Sequence, residues 1–241
     1  MPAERVEDAV AVMLDLFPEG FAEARMADSV ELTAFTDETG ADSLRTAFGD
    51  LRVEPVPAGW EDEWKQFHRP VEIGSLWVGP PWEEPSPGLV PVTIDPGRAF
   101  GTGAHPTTQL CLDLLQQLEG GSLVDLGCGS GVIAIAAALL GYFPVTALDL
   151  DEAAVEATTR NAEANGVEIE VARHDLRRAP TPEADVAVAN LDLPTISVLR
   201  PTSASLIASG YQAVDRPGVE GFQHVARRTL DGWAADLFRR E

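Results

Sequence analysis

Residues 124–131 read VDLGCGSG, and the strand-like run that follows their helix ends in ALDLD at residues 147–151. A short apolar run leads into the glycines at 127, 129 and 131, and VIAIAAALL then continues with helical character. Glycine at those positions permits a tight turn and lets the backbone approach a ligand closely. Asp149 lies 18 residues past Gly131, at the end of the second strand, where a carboxylate can hold a pair of ribose hydroxyls. Strand, glycine turn, helix, strand and acid together form the opening half of a nucleoside-binding α/β sheet.

Working outward, strand-like and helix-like runs alternate through VTALDL, DEAAVEATTRNAEANG, VEIEVA and ADVAVANL, a helical stretch near 193–200, and SLIASGYQAV. That alternation predicts a parallel, doubly wound, Rossmann-like sheet with helices on both faces. Asp151 is placed as an N-cap, and Asn165-Gly166 closes that helix. Asp175 follows the third strand, where it could meet an adenine amino group or simply cap a loop. Asn190 ends the fourth. If strand order reverses between the first and fourth strands, Gly127 and Asn190 flank the crevice in which such sheets bind ligands.

Two cofactor classes fit this plan. Dinucleotide binders use G-x-G-x-x-G with a pyrophosphate at the helix N-terminus, whereas here the spacing is G-x-G-x-G and Asp125 stands before the first glycine. An acid there suits the ammonium or sulfonium of S-adenosyl-L-methionine better than a pyrophosphate, and a nicotinamide dehydrogenase is disfavoured. Upstream, IDPGRAFGTGAHPTTQL at residues 94–110 is rich in Gly, Thr and Pro and is costly to order unless it grips something.

The first 56 residues read as α-β-β-α-β, with a helix over 4–16, strands FAEARM and SVELTAF, a turn at Asp28 and Ser29, a helix ADSLRTAF and a strand LRVEPV. Residues 57–70 read as a connecting helix, with Trp60, Trp64 and Phe67 at helical spacing, and residues 71–241 as the sheet domain. IGSLWVGPPWEEPSPG is a strand running into a Pro-rich loop.

The chain of 241 residues carries 39 acids against 17 bases, net −22, with Lys65 its one lysine. Such a surface repels nucleic-acid phosphates and either attracts a cationic substrate or basic protein or reflects only solubility or a GC-rich genome that favours Arg and Ala. The two cysteines, Cys111 and Cys128, and the dispersed histidines lack metal-ligand spacing, so no metal is expected. The acidic opening is no secretory signal and no apolar run reaches the ~20 residues of a spanning helix; a reducing cytoplasm and no membrane partner are expected.

DPGRAFGTGAHPTTQLCL, VDLGCGSGVIAIAA, ALDLDEAAVEATTRNAEANG and VANLDL together resemble the ribosomal protein L11 methyltransferases, and WEDEWKQFHRPVEIGSLWVGPPWE resembles their linker region. The resemblance implies a class I S-adenosyl-L-methionine-dependent methyltransferase sheet preceded by a small ferredoxin-like α+β recognition domain, here truncated because the first strand is lacking. It implies methyl transfer to amino groups of L11 or a related basic protein. Thr108, Gly127, Asp149 and Asn190 would touch the cofactor, with Gly129, Asp125 and Asp175 beside them, while Phe100, Thr102 and Gly103 would close the site. Asn190, Phe100 and Thr102 are the expected catalytic set. The chain departs from the family at Arg98, at TSAS (residues 202–205) before the fifth strand, and in its short tail, which is expected to lose or compress a terminal strand. A methyltransferase acting on a small molecule or nucleic acid, or a non-catalytic binder of the cofactor, is the alternative.

An amine attacks a methyl group only when neutral. A carboxylate touching it would hold its proton, so the sequence predicts a neutral orienting acceptor such as Asn190 and no dedicated general base. His105 is the rival base, or a side chain that merely pins its loop.

Overall fold

The computed structural model describes residues 9, 12, 13, 16, 22–25, 30–34, 36, 38–49, 51–54, 69–95 and 103–241. The chain divides into two compact units, Met1–Trp60 and Glu61–Glu241. Of the expected connecting helix, 57–70, residues 57–68 lie outside the described residues, and 69–70 are irregular.

In the first unit, β1 (Ala22–Arg25) pairs antiparallel with β2 (Val30–Thr33). The helix α1 (Glu38–Phe48) follows, with Glu38 in its first turn and Arg45 in its last, the polarity that the helix dipole favours. Residues 9, 12, 13 and 16 are helical, and Ala9 and Met13, four apart, are buried. The turn at Asp28 and Ser29 lies outside the described residues. The strand expected at LRVEPV is corrected: residues 51–54 are irregular. Val53 is exposed there, and Arg52 and Glu54 pair with each other in solvent at 2.9 Å, so the alternating side of Leu51 and Val53 is not buried against a sheet.

The second unit opens with a small sheet in the order β3 (Val71–Ile73), β4 (Leu76–Gly79), β5 (Val90–Thr93), antiparallel then parallel. The sequence gives only one strand in this stretch. Strands of three and four residues are too short to display alternation, and the Pro-rich loop hides their partnership.

The main sheet has seven strands: β6 (Leu123–Leu126), β7 (Val145–Asp149), β8 (Glu170–Arg173), β9 (Ala184–Asn190), β10 (Ser203–Gln212), β11 (Phe222–Leu230) and β12 (Trp233–Arg240). Their order is β11-β12-β10-β9-β6-β7-β8. Strands β6 to β10 are mutually parallel, and order reverses between β6 and β9, as the sequence requires for a switch-point crevice. The sheet is not parallel throughout, because β12 runs antiparallel to both β10 and β11. The tail is not compressed either. β11 and β12 are nine and eight residues long, joined by Asp231-Gly232 with φ of 48° and 81°, the positive-φ pair that a tight hairpin needs.

The helices are α2 (Pro106–Leu115), α3 (Val132–Leu139), α4 (Glu152–Ala164) and α5 (Leu193–Val198). Both faces carry helix, unequally. Buried residues of α2, α3 and α4 share one core with Leu123, Val186, Val188, Ile207 and Leu237. On the other face Val124, Leu126, Ala187, Leu206 and Phe238 meet Ile196 of α5 and Leu199 just after it. No described helix is long and apolar enough to cross a membrane.

Candidate functional site

The glycine turn closes on itself. The N–H groups of Gly127 and Cys128 donate to the Leu148 carbonyl at 2.7 and 3.0 Å, and that of Gly131 to the Cys128 carbonyl at 2.8 Å. Gly129 N–H donates to Asp149 Oδ2 at 3.0 Å. The turn thus keeps these donors for its own shape and offers none of the four to a phosphate. Gly127 has φ of +83°, and a Cβ there would stand 2.4 Å from Leu191 Cδ2. Register places Leu126 opposite Ala189 on β9, so Gly127 follows onto Asn190 across the strand reversal.

Asp149 is held on both sides. Besides Gly129, the Asp151 N–H donates to Oδ1 at 3.0 Å. Each carboxylate oxygen can accept twice, which leaves one lone pair per oxygen for two hydroxyls. Asp151 caps α4 through the Ala153 N–H at 3.0 Å.

Asp125 is 1% exposed. Its Oδ2 accepts the Ala134 N–H of the first turn of α3 at 3.2 Å, replacing the side-chain cap that Gly131 cannot give. Its Oδ1 is buried without a hydrogen-bond partner. Burial pushes its carboxyl up to about 7, opposed by the Ala134 N–H and assisted by the Asp149 charge. A buried carboxyl under the turn suits a cationic ligand, which would favour its charged form, better than a pyrophosphate.

Asn190, at the end of β9, donates from Nδ2 to Thr108 Oγ1 at 3.3 Å, and Thr108 is buried on α2. With its nitrogen donating to Thr108, the amide keeps its oxygen as an acceptor. Nδ1 of His105, the N-cap of α2, lies 2.7 Å from Thr107 Oγ1 and accepts the Thr107 N–H at 3.4 Å. The ring also packs edge-on against Trp233, centroids 4.9 Å apart. As the N-cap, the ring is tied to the start of its own helix.

Gly103 has φ of +85° and lies against Val78 of β4. Phe100 and Thr102 fall outside the described residues. Asp175 behaves as a loop cap: Oδ1 accepts the Arg177 N–H at 3.0 Å, and Oδ2 pairs with Arg178 at 3.1 Å. The structure therefore brings together Gly127, Gly129, Asp149, Asp125, Asn190 and Thr108, with Asp175 at the end of β8. Among the described residues no three His, Cys, Asp or Glu converge as a metal site.

Sequence reasoning missed four contributors. Trp233 reaches His105 from the β11–β12 hairpin, although Asp231-Gly232 was a readable hairpin signal. Gly210 brings β10 within contact of the Leu191 backbone. From α4, Thr158 donates to the Gly129 carbonyl at 3.0 Å and Asn161 to the Ser130 carbonyl at 2.9 Å. Their signal was polar residues on the stripe that buries Ala154, Ala157 and Ala162.

Comparison with known proteins points to one family. A family model described as "Ribosomal protein L11 methyltransferase (PrmA)" matches residues 9–233. A ribosomal protein L11 methyltransferase of Symbiobacterium thermophilum is 39% identical over 235 residues, covering 88% of this chain and 77% of that protein. That of Hahella chejuensis is 42% identical over 188 residues, covering 73% and 64%. The chain therefore spans about two thirds to three quarters of these relatives' length. Among solved structures, a ribosomal protein L11 methylase from Lactobacillus delbrueckii subsp. bulgaricus superposes with TM-score 0.62 at 28% identity, covering 72% of this chain and all of that one.

Proposed function

The chain belongs to the ribosomal protein L11 methyltransferase family, and from that premise we propose that it transfers the methyl group of S-adenosyl-L-methionine to amino groups of ribosomal protein L11, or a related basic protein, in the cytoplasm. One observation carries the choice of cofactor: the N–H groups of Gly127, Cys128, Gly129 and Gly131 are taken by Leu148, Asp149 and Cys128, while Asp125 sits beneath the turn with an unpartnered buried oxygen. That arrangement fits a cation better than a pyrophosphate. When bound, S-adenosyl-L-methionine supplies an electrophilic methyl carbon, which a neutral amine takes as the C–S bond breaks and the electron pair stays on sulfur.

The chain's own residues would then orient and desolvate. Asp149 would hold the ribose hydroxyls with its two remaining lone pairs. Asp125 and the turn, with Gly127 and Gly129, would seat the positive end, and Asp175 would border the adenine side. The Asn190 oxygen, fixed by Thr108, would accept an N–H of the incoming amine without retaining its proton as a carboxylate would. Positioning of this kind supplies much of the rate of an in-line displacement. Phe100, Thr102 and Gly103 would close the substrate side, and the acidic first unit would receive the basic substrate.

The test incubates the purified chain with S-adenosyl-L-methionine and L11 and reads methylation by mass spectrometry, with titrations against S-adenosyl-L-methionine and NAD in parallel. Methylated L11 and selective binding of S-adenosyl-L-methionine are expected. Selective binding without methylation of L11 would move the substrate elsewhere, and binding of NAD alone would overturn the cofactor. Asn190→Asp should lower turnover at neutral pH; a rise would show that a base was wanted after all.

A further inference from the structure

Asn161 of α4 and Asn165, the C-cap of that helix, stand one turn apart and reach different things. Asn161 is buried; its Nδ2 donates to the Ser130 carbonyl of the glycine turn at 2.9 Å, and its Oδ1 accepts the Asp95 N–H at 3.1 Å. The Asn165 Oδ1 accepts the Thr93 N–H at 2.9 Å, and its Nδ2 donates to the Thr93 carbonyl at 2.6 Å. The spacing has a simple cause. Four residues of helix rise about 6 Å and two residues of strand about 6.7 Å. Side chains at 161 and 165 can therefore serve the same edge of β5 and its extension, as a neighbouring strand would. The free edge of β5 is thereby paired with α4, and Asn161 alone continues from that edge to the turn. Thr158, on the same face, adds its bond to the Gly129 carbonyl.

We propose that Asn161 is a positioning residue for the cofactor site, setting the height of the glycine turn against α4 and the 93–95 segment, whereas Asn165 is a purely structural tie. This rests on the reading in which the turn seats S-adenosyl-L-methionine. Asn161 touches no ligand and acts through the Ser130 carbonyl. Moving a turn that must lie against the nucleoside weakens binding of the nucleoside. Moving the β5 edge alone costs stability without touching the turn.

The two asparagines make their own control. Asn161→Ala, Asn161→Asp and Asn165→Ala would be compared with the wild-type chain by calorimetric titration with S-adenosyl-L-methionine, by KM and kcat, and by thermal melting. Asn161→Asp keeps the shape and the acceptor for Asp95 but loses the donor to Ser130, so it reports on the turn even if the alanine variant does not fold. Both Asn161 variants should weaken binding about tenfold, the scale of one buried hydrogen bond lost, and raise KM for the cofactor while kcat at saturation stays within about threefold. Asn165→Ala should melt lower and bind within about twofold of wild type. Asn161→Asp binding like the wild-type chain, or Asn165→Ala weakening binding as much as the Asn161 variants, overturns the assignment alone. A wild-type chain that ignores S-adenosyl-L-methionine overturns the cofactor reading and this inference with it.

Discussion

On one face of the main sheet, α2, α3 and α4 lay Leu110, Leu114, Ile133, Ala137 and Ala162 against Leu123, Val188 and Ile207. On the other, α5 supplies little more than Ile196, and Asp236 of β12 lies 1% exposed among polar partners. Its Oδ1 is 2.8 Å from His224 Nε2, its Oδ2 is 2.8 Å from the Tyr211 hydroxyl, and Arg227 stands 3.7 Å away. Two bulges gather this cluster. Gly210 is the extra residue between Ser209 and Tyr211, and Val225 the extra one between His224 and Ala226. Strict alternation would put Tyr211 with Ser209 on the helix-covered face, and His224 and Arg227 on opposite faces. Each bulge reverses the parity once. A face that long helices cover can be sealed by dispersion and apolar burial; where the β10–β11 connection contains no helix, the strands seal it with a charged network instead. The first solution tolerates shape changes poorly, and the second depends on every partner being present.

The comparison breaks most sharply at Gly210. A Cβ there would meet the Leu191 backbone oxygen at 2.1 Å, and φ is +102°. Gly210→Ala should cost about 4 kcal/mol or more in urea unfolding, since backbone clash and strain coincide. It should also weaken methyl transfer through the neighbouring Asn190. A loss below about 1 kcal/mol would mean that the bulge is pliable and the two faces are not locked in parity. Next comes Leu114→Ala on the helix-covered face, expected to cost about 3 kcal/mol as a cavity. Asp236→Ala on the other should cost about 2 kcal/mol, with a coupling of about 1 kcal/mol to Arg227→Ala in a double-mutant cycle. Absence of coupling would reduce the network to coincidence.

The same contrast governs how much could be read in advance. Glycines at 127, 129 and 131, the acid at 149 and the helix caps at 151 and 165–166 announce β6 to α4, because each residue type there answers a local backbone need. Asn190 and Thr108 were legible as positions, although their mutual bond, 82 residues apart in sequence, was not. Local pattern does not carry parity changes, so the polar cluster of β10 to β12 was invisible; bulges at Gly210 and Val225 depend on the strands they face. The strand expected at 51–56 erred in the opposite direction: at the described residues 51–54, β-forming residues without a buried face do not make a strand.

A finer probe of the helix-covered face is Asp125. Its native value, about 7, stands above the unfolded carboxylate near ~4. Between those values the native state holds the proton and the unfolded state has lost it, so stability falls as pH rises through this window and is level above it. Asp125→Asn should remove that slope and melt about 5 °C higher at pH 8, at roughly 2–4 °C per kcal/mol, while binding S-adenosyl-L-methionine less well. A variant that melts lower at pH 8 would mean that the Ala134 cap outweighs the burial of charge. The smallest effect belongs to Cys128 on the same face. Burial pushes its thiol up to about 12, with the Asp125 charge adding and the Thr158 hydroxyl opposing, and burial raises Cys111 further. Because only the thiolate attacks, iodoacetamide at pH 8 should leave both cysteines unlabelled in the folded chain and label both in urea. Labelling of Cys128 alone in the native chain would show that the glycine turn opens without unfolding, and that the apolar seal over it is weaker than its packing implies.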